Sequence, residues 1–287
     1  MEITSKSKLY CLIGHPVGHS ISPQIHNAAF KYFNLDCVYL SFDVEPIHLS
    51  MVVRGFKALK IGGFNVTIPH KISIRRYIDE HDISSKETGA VNTVVLRNNK
   101  YVGYNTDVEG IKKSLEEFED LVDGRALILG AGGVARAAVA ALKSLGLEEI
   151  IIANRRLMRA AALVRRFKDE GLKMRPVHFH EARRYSKSCS LIINATPIGM
   201  WPHIDETPLN SNDISRGSLV LDLVYNPLKT RFIEEARKAG AKIVYGLKPL
   251  IEQARRSFQL WTGFEPPLEL LWKIAEKQLK AWDKHEG

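Results

Sequence analysis

Only three cysteines occur in the 287 residues, Cys11, Cys37 and Cys189. So sparse and odd a set excludes a disulfide scaffold and suits a reducing compartment. No apolar run approaches the roughly 18 residues that a membrane helix needs, so no membrane partner is expected. The start, Met1-Glu2, lacks the basic, apolar and then small-residue order of a signal peptide, which makes the cytoplasm the expected location. Low-complexity segments, short-period repeats, zinc-finger spacings and the aromatic signature of an RNA-binding module are also missing. His15, His19 and His26 do not form H-E-x-x-H. His178-Phe179-His180 lacks acidic or thiol partners at metal spacing, and no metal is expected.

What remains is the composition of an ordinary globular protein, 45% hydrophobic and 25% charged, at a length that fits one large domain or two ordinary ones. The net charge of +9 raises three partners: nucleic acid, an anionic surface or small anions. The basic residues come in scattered pairs such as Lys112-Lys113, Arg165-Arg166 and Arg183-Arg184, the pattern of solvated faces. Nucleic acid is therefore a weak alternative, which a flat salt profile in a DNA titration would remove.

Along the chain, short apolar runs alternate with amphipathic stretches. Residues 8–14, 37–44 and 61–69 read as strands, and 22–35 and 48–59 as helices, with Ser22 as N-cap and Pro23 at the first helical position. Residues 89–107 read as two strands joined at Asn98-Asn99. A connecting helix is expected from Val108, then strand, glycine turn and helix, then a strand at 148–154 and a helix at about 157–169. Further strands are expected within 188–200 and 217–225, followed by a helix from Thr230, a strand at 241–246 and helices from Pro249 onward. Leu268, Leu271, Trp272 and Ala275 share one helical face, which reads as core packing. The fold class expected is α/β: an N-terminal α/β domain with an open twisted sheet, plus a Rossmann-like doubly wound nucleotide-binding domain.

In "ILGAGGVARAA" (128–138), Gly130 and Gly132 take the first two places of a dinucleotide fingerprint and Ala135 the third. The first glycine permits the tight turn and the second a close approach of backbone to pyrophosphate, which the helix N-terminus then attracts. About 20 residues on, an acidic side chain would bond the ribose 2′-hydroxyl of NAD. The strand here ends instead on Asn154, Arg155 and Arg156, with Arg159 behind. Arginines can form bidentate bonds to a 2′-phosphate that a carboxylate would repel, so NADP(H) is the expected cofactor. Other polar groups gather at strand ends: Asn65, Thr67 and Lys71 in "GFNVTIPHK", and Asn105 and Asp107 in "YNTD". Lys71 could give a proton to a developing alkoxide, and Asp107 could orient it or simply cap the next helix. Ser20 and Ser22, beside a helix N-terminus, offer a site for a carboxylate or phosphate.

Taken in order, "GHPVGHSISPQIHN", "NVTIPHK", "GAVNT", "YNTD", "GAGGVARA", "NRRLMRA", "NATPIGM", "LVYNPLKTRF", "YGLKPLIEQA" and "FQLWTG" resemble the shikimate dehydrogenase family over residues 14–263. The resemblance implies a substrate domain of residues 1–107, completed by helices in 250–287, and an NADP-binding domain of residues 108–249. It implies reversible reduction of 3-dehydroshikimate to shikimate, with Lys71 as acid/base and Asp107 as its partner. Ser20, Ser22 and Tyr225 would hold the substrate carboxylate, and Asn65, Thr67, Asn92, Asp107 and Gln253 would complete the substrate set. Gly130, Ala131, Gly132, Gly133 and Val134 would cradle the pyrophosphate. Asn154, Arg155, Arg156 and Arg159 would take the adenosine phosphate. Thr196, Leu223 and Gly246 would complete the cofactor set. Three positions depart from the family pattern: Arg156 for threonine, Pro249 for methionine and Val134 for alanine. The nearest rival is a quinate/shikimate enzyme using NAD or both cofactors. A monomer or homodimer is expected.

Overall fold

The computed structural model describes residues 3–122, 124–168 and 171–285. Met1-Glu2, position 169 of the helix expected at 157–169, and residues 286 and 287 of the C-terminal segment lie outside them. The chain divides into two compact units, Met1–Thr106 with Ile251–Gly287, and Asp107–Leu250.

The first unit opens with β1 (Lys8–Gly14), α1 (Ser22–Tyr32), β2 (Cys37–Asp43), α2 (Leu49–Ala58) and β3 (Gly63–Val66). It continues through β4 (Glu80–His81), α3 (Ile83–Thr88), β5 (Thr93–Arg97) and β6 (Lys100–Tyr104). The sheet order is β2-β1-β3-β5-β6-β4. Strand β1 runs parallel to β2 and β3, while β5 runs antiparallel to β3 and β6. Cys11 and Ile13 of β1 pack with Phe64, Val66, Val94 and Tyr101 on one face, the period-2 burial of a sheet covered by helices. Asn98 and Asn99 turn the β5–β6 hairpin with φ of 49° and 60°, the left-handed pair that a two-residue turn requires.

Several boundaries differ from the sequence reading. Ile21, not Ser22, occupies the N-cap of α1 and makes no side-chain cap bond, so Ser22 begins the helix. That helix stops at Tyr32 rather than at residue 35, because Asn34 adopts φ 51°. The strand expected at 61–69 is only Gly63–Val66, since the His70 N–H turns back to the Thr67 carbonyl at 2.9 Å. Before α2, Pro46–His48 form a separate 3-10 turn.

The second unit runs α4 (Asp107–Leu115), β7 (Arg125–Leu129), α5 (Gly133–Ser144), β8 (Glu149–Asn154), α6 (Leu157–Arg166) and β9 (Lys173–His178). There follow α7 (Ala182–Ser186), β10 (Leu191–Asn194), β11 (Leu219–Asp222), α8 (Arg231–Lys238) and β12 (Lys242–Val244). All neighbours in its sheet are parallel, in the order β12-β11-β10-β7-β8-β9. The order reverses between β7 and β10, the switch point at which doubly wound folds bind ligands. Strand β9, KMRPVH, was not expected from the sequence. It is an edge strand whose charges and proline hide its pattern.

Helix α9 (Leu247–Thr262) leaves the second unit and enters the first, and α10 (Leu268–His285) follows. Leu271, Ala275 and Leu279 are buried at four-residue spacing, and α10 packs on α1. Leu268 and Trp272 are half-buried beside them, in keeping with a packing face.

Candidate active site

In the first unit, polar side chains at the ends of β3, β5 and β6 meet those of α9 in a buried network. The Tyr39 hydroxyl donates to Asn65 Oδ1 at 2.7 Å, and burial holds the phenol well above its usual pKa, so it remains a donor. Asn65 Nδ2 donates to the Asn92 carbonyl at 3.1 Å, Thr93 Oγ1 at 3.0 Å and Ser257 Oγ at 3.2 Å. The Thr106 N–H donates to Asn92 Oδ1 at 2.7 Å. That bond fixes the flip of the amide and turns Asn92 Nδ2 toward Thr106 Oγ1 at 2.9 Å and Gln253 Oε1 at 3.3 Å. Thr93, Thr106 and Ser257 share a triangle of hydroxyl contacts at 2.8 to 3.1 Å. Of the expected substrate residues, the network therefore joins Asn65, Asn92 and Gln253.

Ser20 and Ser22 meet each other instead, through their hydroxyls at 3.2 Å. Thr67 and Lys71 are half-buried beyond β3, and the Lys71 carbonyl accepts from Val91 N–H at 2.7 Å. Gly14, at the end of β1, faces this segment closely. A Cβ there would lie 2.3 Å from Thr67 Cγ2 and 2.9 Å from the Ile68 carbonyl. Beside the network, His26 is 1% exposed, stacks on Tyr39 with centroids 4.5 Å apart, and has no hydrogen-bond partner for either ring nitrogen among the described residues. Burial pushes its pKa from 6.5 down to about 3, so the ring is neutral.

In the second unit, Gly130 takes φ 111° after β7, and a Cβ there would approach the Ala195 carbonyl to 2.7 Å. Only glycine fits both demands. At Gly132 a Cβ would meet nothing within 4 Å: the turn leaves open space at the N-terminus of α5, where Ala131, Gly133 and Val134 are also found. At the end of β8, Asn154 is half-buried and its Nδ2 donates to the Arg156 carbonyl at 2.9 Å. Arg155, Arg156 and Arg159 are exposed there, and Arg156 holds the N-cap of α6. Asp107 lies inside the first turn of α4, not at the cap position, and is 9% exposed. Tyr225 and Leu223 are half-buried in the segment after β11.

A buried carboxyl braces that segment. Asp222 Oδ1 accepts from Asn194 Nδ2 at 2.9 Å and Val224 N–H at 3.0 Å, and Oδ2 accepts from Thr230 Oγ1 at 2.5 Å. Burial raises its pKa to about 7, against the opposing effect of those three bonds. Asn194 Oδ1 in turn accepts from the Thr196 hydroxyl at 2.6 Å. Gly246 packs against the same backbone, where a Cβ would lie 2.4 Å from the Val224 carbonyl and 2.6 Å from that of Asp222.

Sequence reasoning passed over Tyr39, Thr93, Thr106, Ser257, Asn194, Asp222 and Thr230. Thr93, Thr106 and Asn194 sit inside "GAVNT", "YNTD" and "NATPIGM" and were within reach. Ser257 carried only the weaker signal of standing one helical turn after Gln253.

Three family models match in order: the shikimate dehydrogenase substrate binding domain over residues 12–94, shikimate / quinate 5-dehydrogenase over 112–211, and the shikimate 5′-dehydrogenase C-terminal domain over 246–276. The chain is 42% identical over 280 residues to a shikimate dehydrogenase (NADP(+)) of Methanococcus maripaludis, covering 97% of this chain and all of that one. Among solved structures, a shikimate dehydrogenase in complex with NADP+ is similar with a TM-score of 0.87 at 42% identity, covering 97% of this chain and 98% of the other. The shikimate 5-dehydrogenase of Thermus thermophilus, in complex with NADP(H) and shikimate, has a TM-score of 0.84 at 32% identity, covering 94% and 99%.

Proposed function

The chain belongs to the shikimate dehydrogenase family, and on that premise we propose that it interconverts 3-dehydroshikimate and shikimate with NADP(H). The observation that carries the reading is the turn after β7, where Gly130 and Gly132 open the N-terminus of α5 and the next strand ends on Asn154, followed by Arg155 and Arg156, without a carboxylate. Ala131, Gly133 and Val134 would complete the pyrophosphate cradle, Asn154, Arg155, Arg156 and Arg159 would hold the 2′-phosphate, Leu223 and Gly246 would line the nicotinamide, and Thr196 would complete the cofactor set. When bound, NADPH supplies the hydride.

The protein supplies orientation and the proton. Lys71 Nζ gives a proton to the carbonyl oxygen as it becomes a hydroxyl, and receives it in the reverse direction, with Asp107 as the orienting carboxylate. Ser20, Ser22 and Tyr225 hold the substrate carboxylate. Thr67, Asp107 and the amides of Asn92 and Gln253 bind the ring hydroxyls, with Asn65 completing the substrate set, and the network around those amides supports that role because their orientations are already set. Three buried free cysteines support a cytoplasmic setting, and a monomer or homodimer completes the reading. Among the described residues no helix is long and apolar enough to cross a membrane.

The test is absorbance at the nicotinamide band, with shikimate and quinate each offered NADP and NAD. Shikimate with NADP is the expected best pair, and equal efficiency with NAD would sink the phosphate assignment. Lys71→Ala should lower turnover by roughly a hundred- to ten-thousandfold; unchanged turnover would remove Lys71 from the chemistry.

A further inference from the structure

The pair His178 and His180 lies outside every role assigned above. Their Nδ1 atoms stand 2.7 Å apart, with ring centroids at 4.5 Å, in the turn that ends β9. Register sets His178 directly opposite Asn154. Ile150 and Ile152 of β8 pack into the same cluster as Ala160 and Leu163 of α6, and Met174 of β9 packs against it. By the two-residue alternation of a strand, Asn154 and His178 leave the sheet on that same face, above the start of α6. His178 is half-buried and His180 exposed.

We infer that His178 and His180 form a proton-accepting part of the 2′-phosphate site and contribute to the choice of NADP(H) over NAD(H). The inference rests on the NADP reading of the Asn154–Arg159 segment. A contact between two Nδ1 atoms requires one of them to carry the hydrogen and the other to accept it. If both rings are neutral, only one Nε2 is left as an outward donor. One added proton keeps the Nδ1–Nδ1 bond and makes both Nε2 atoms donors, whereas a second would set two N–H groups against each other. The pair can thus add a single positive charge beside a phosphate dianion. Charged groups on the elements packed around it include Glu181, whose carboxylate accepts the His178 backbone N–H at 2.8 Å, then Arg155, Arg156 and Arg159 after β8, Arg165 and Arg166 at the far end of α6, Lys173 and Arg175 on β9, Glu149 at the start of β8, and Arg183 and Arg184 on α7. Arg183 is engaged with Asp213 at 3.8 Å.

The experiment titrates NADPH and NADH into the full-length wild type and His180→Gln by calorimetry, in two buffers of different ionisation enthalpy, near pH 6.5. His180→Gln is chosen because the residue is exposed and the turn need not refold; the double change His178→Gln/His180→Gln follows. The wild type should take up a fraction of a proton with NADPH beyond that seen in the variant, a difference that cancels the phosphate's own titration. The variant's preference for NADPH over NADH should fall by roughly three- to tenfold, the worth of one exposed charge-assisted bond. An unchanged preference with unchanged proton uptake overturns the inference, as does an equal loss of affinity for both nucleotides. A wild type without NADPH preference would instead overturn the NADP reading itself, and this inference with it.

Discussion

At its glycine turn the parallel sheet presents backbone, whereas the buried network of the mixed sheet presents side chains. After β7 the critical facts are a φ of 111° at Gly130 and open space at Gly132, both properties of a few consecutive residues. In the first unit the amides of Asn65, Asn92 and Gln253 are oriented by hydroxyls from β5, from the segment after β6 and from α9. A backbone site can be encoded locally. A side-chain site needs partners that only the tertiary fold brings together, and each buried member must be satisfied.

The two units also bury titratable groups of opposite sense, and separating them is the sharpest way to probe the contrast. His26, lowered from 6.5 to about 3, contributes stability that is present above pH 6.5 and lost as pH falls toward 3. Asp222, raised from 3.8 to about 7, contributes stability that is present below pH 3.8 and lost as pH rises toward 7. Each limb is worth on the order of a few kcal/mol at full extent. His26→Leu should therefore flatten the acid limb of stability in chemical denaturation. Asp222→Asn should remove the opposing limb, because its amide can donate to Thr230 Oγ1 while Oδ1 keeps Asn194 and Val224. Equal slopes in wild type and variants would break the comparison.

Next in size, Gly130→Val should cost about 3 kcal/mol through backbone strain and collision with the Ala195 carbonyl, with loss of NADPH binding; thermal unfolding and nucleotide titration check both. The smallest effect is expected for Ser257→Ala, about 1 kcal/mol, because Asn65 Nδ2 keeps the Asn92 carbonyl and Thr93 Oγ1. It should appear as a shifted denaturation midpoint and a raised KM for shikimate.

The same contrast governs how much could be read from the sequence. The strand, the glycine turn and the next strand with arginines just after it were legible because each signal occupies adjacent positions. The Asn98-Asn99 turn was legible for the same reason. Ser22 was placed one position outside its helix, and so was Asp107 in the capping one of its two readings, since a cap is defined by backbone angles that Ser and Asp alone do not dictate. Strand β9 was missed because an edge strand can carry Lys, Arg and Pro without an apolar rhythm. Asp222 and Ser257 were missed because their importance lies in distant partners: Thr230 and Asn194 for one, Asn65 and Thr93 for the other.

Helix α9 has a consequence for how the chain is made. Ser257 reaches Asn65 across 192 positions and Thr93 across 164, while every residue of the parallel-sheet unit precedes Ile251. On a ribosome adding roughly 5–20 residues per second, about 8–30 s separate the last strand of the mixed sheet from the arrival of its missing hydroxyl. The unit begun first is finished last. Until α9 emerges, Asn65 and Thr93 must meet water or a chaperone in place of their native partner.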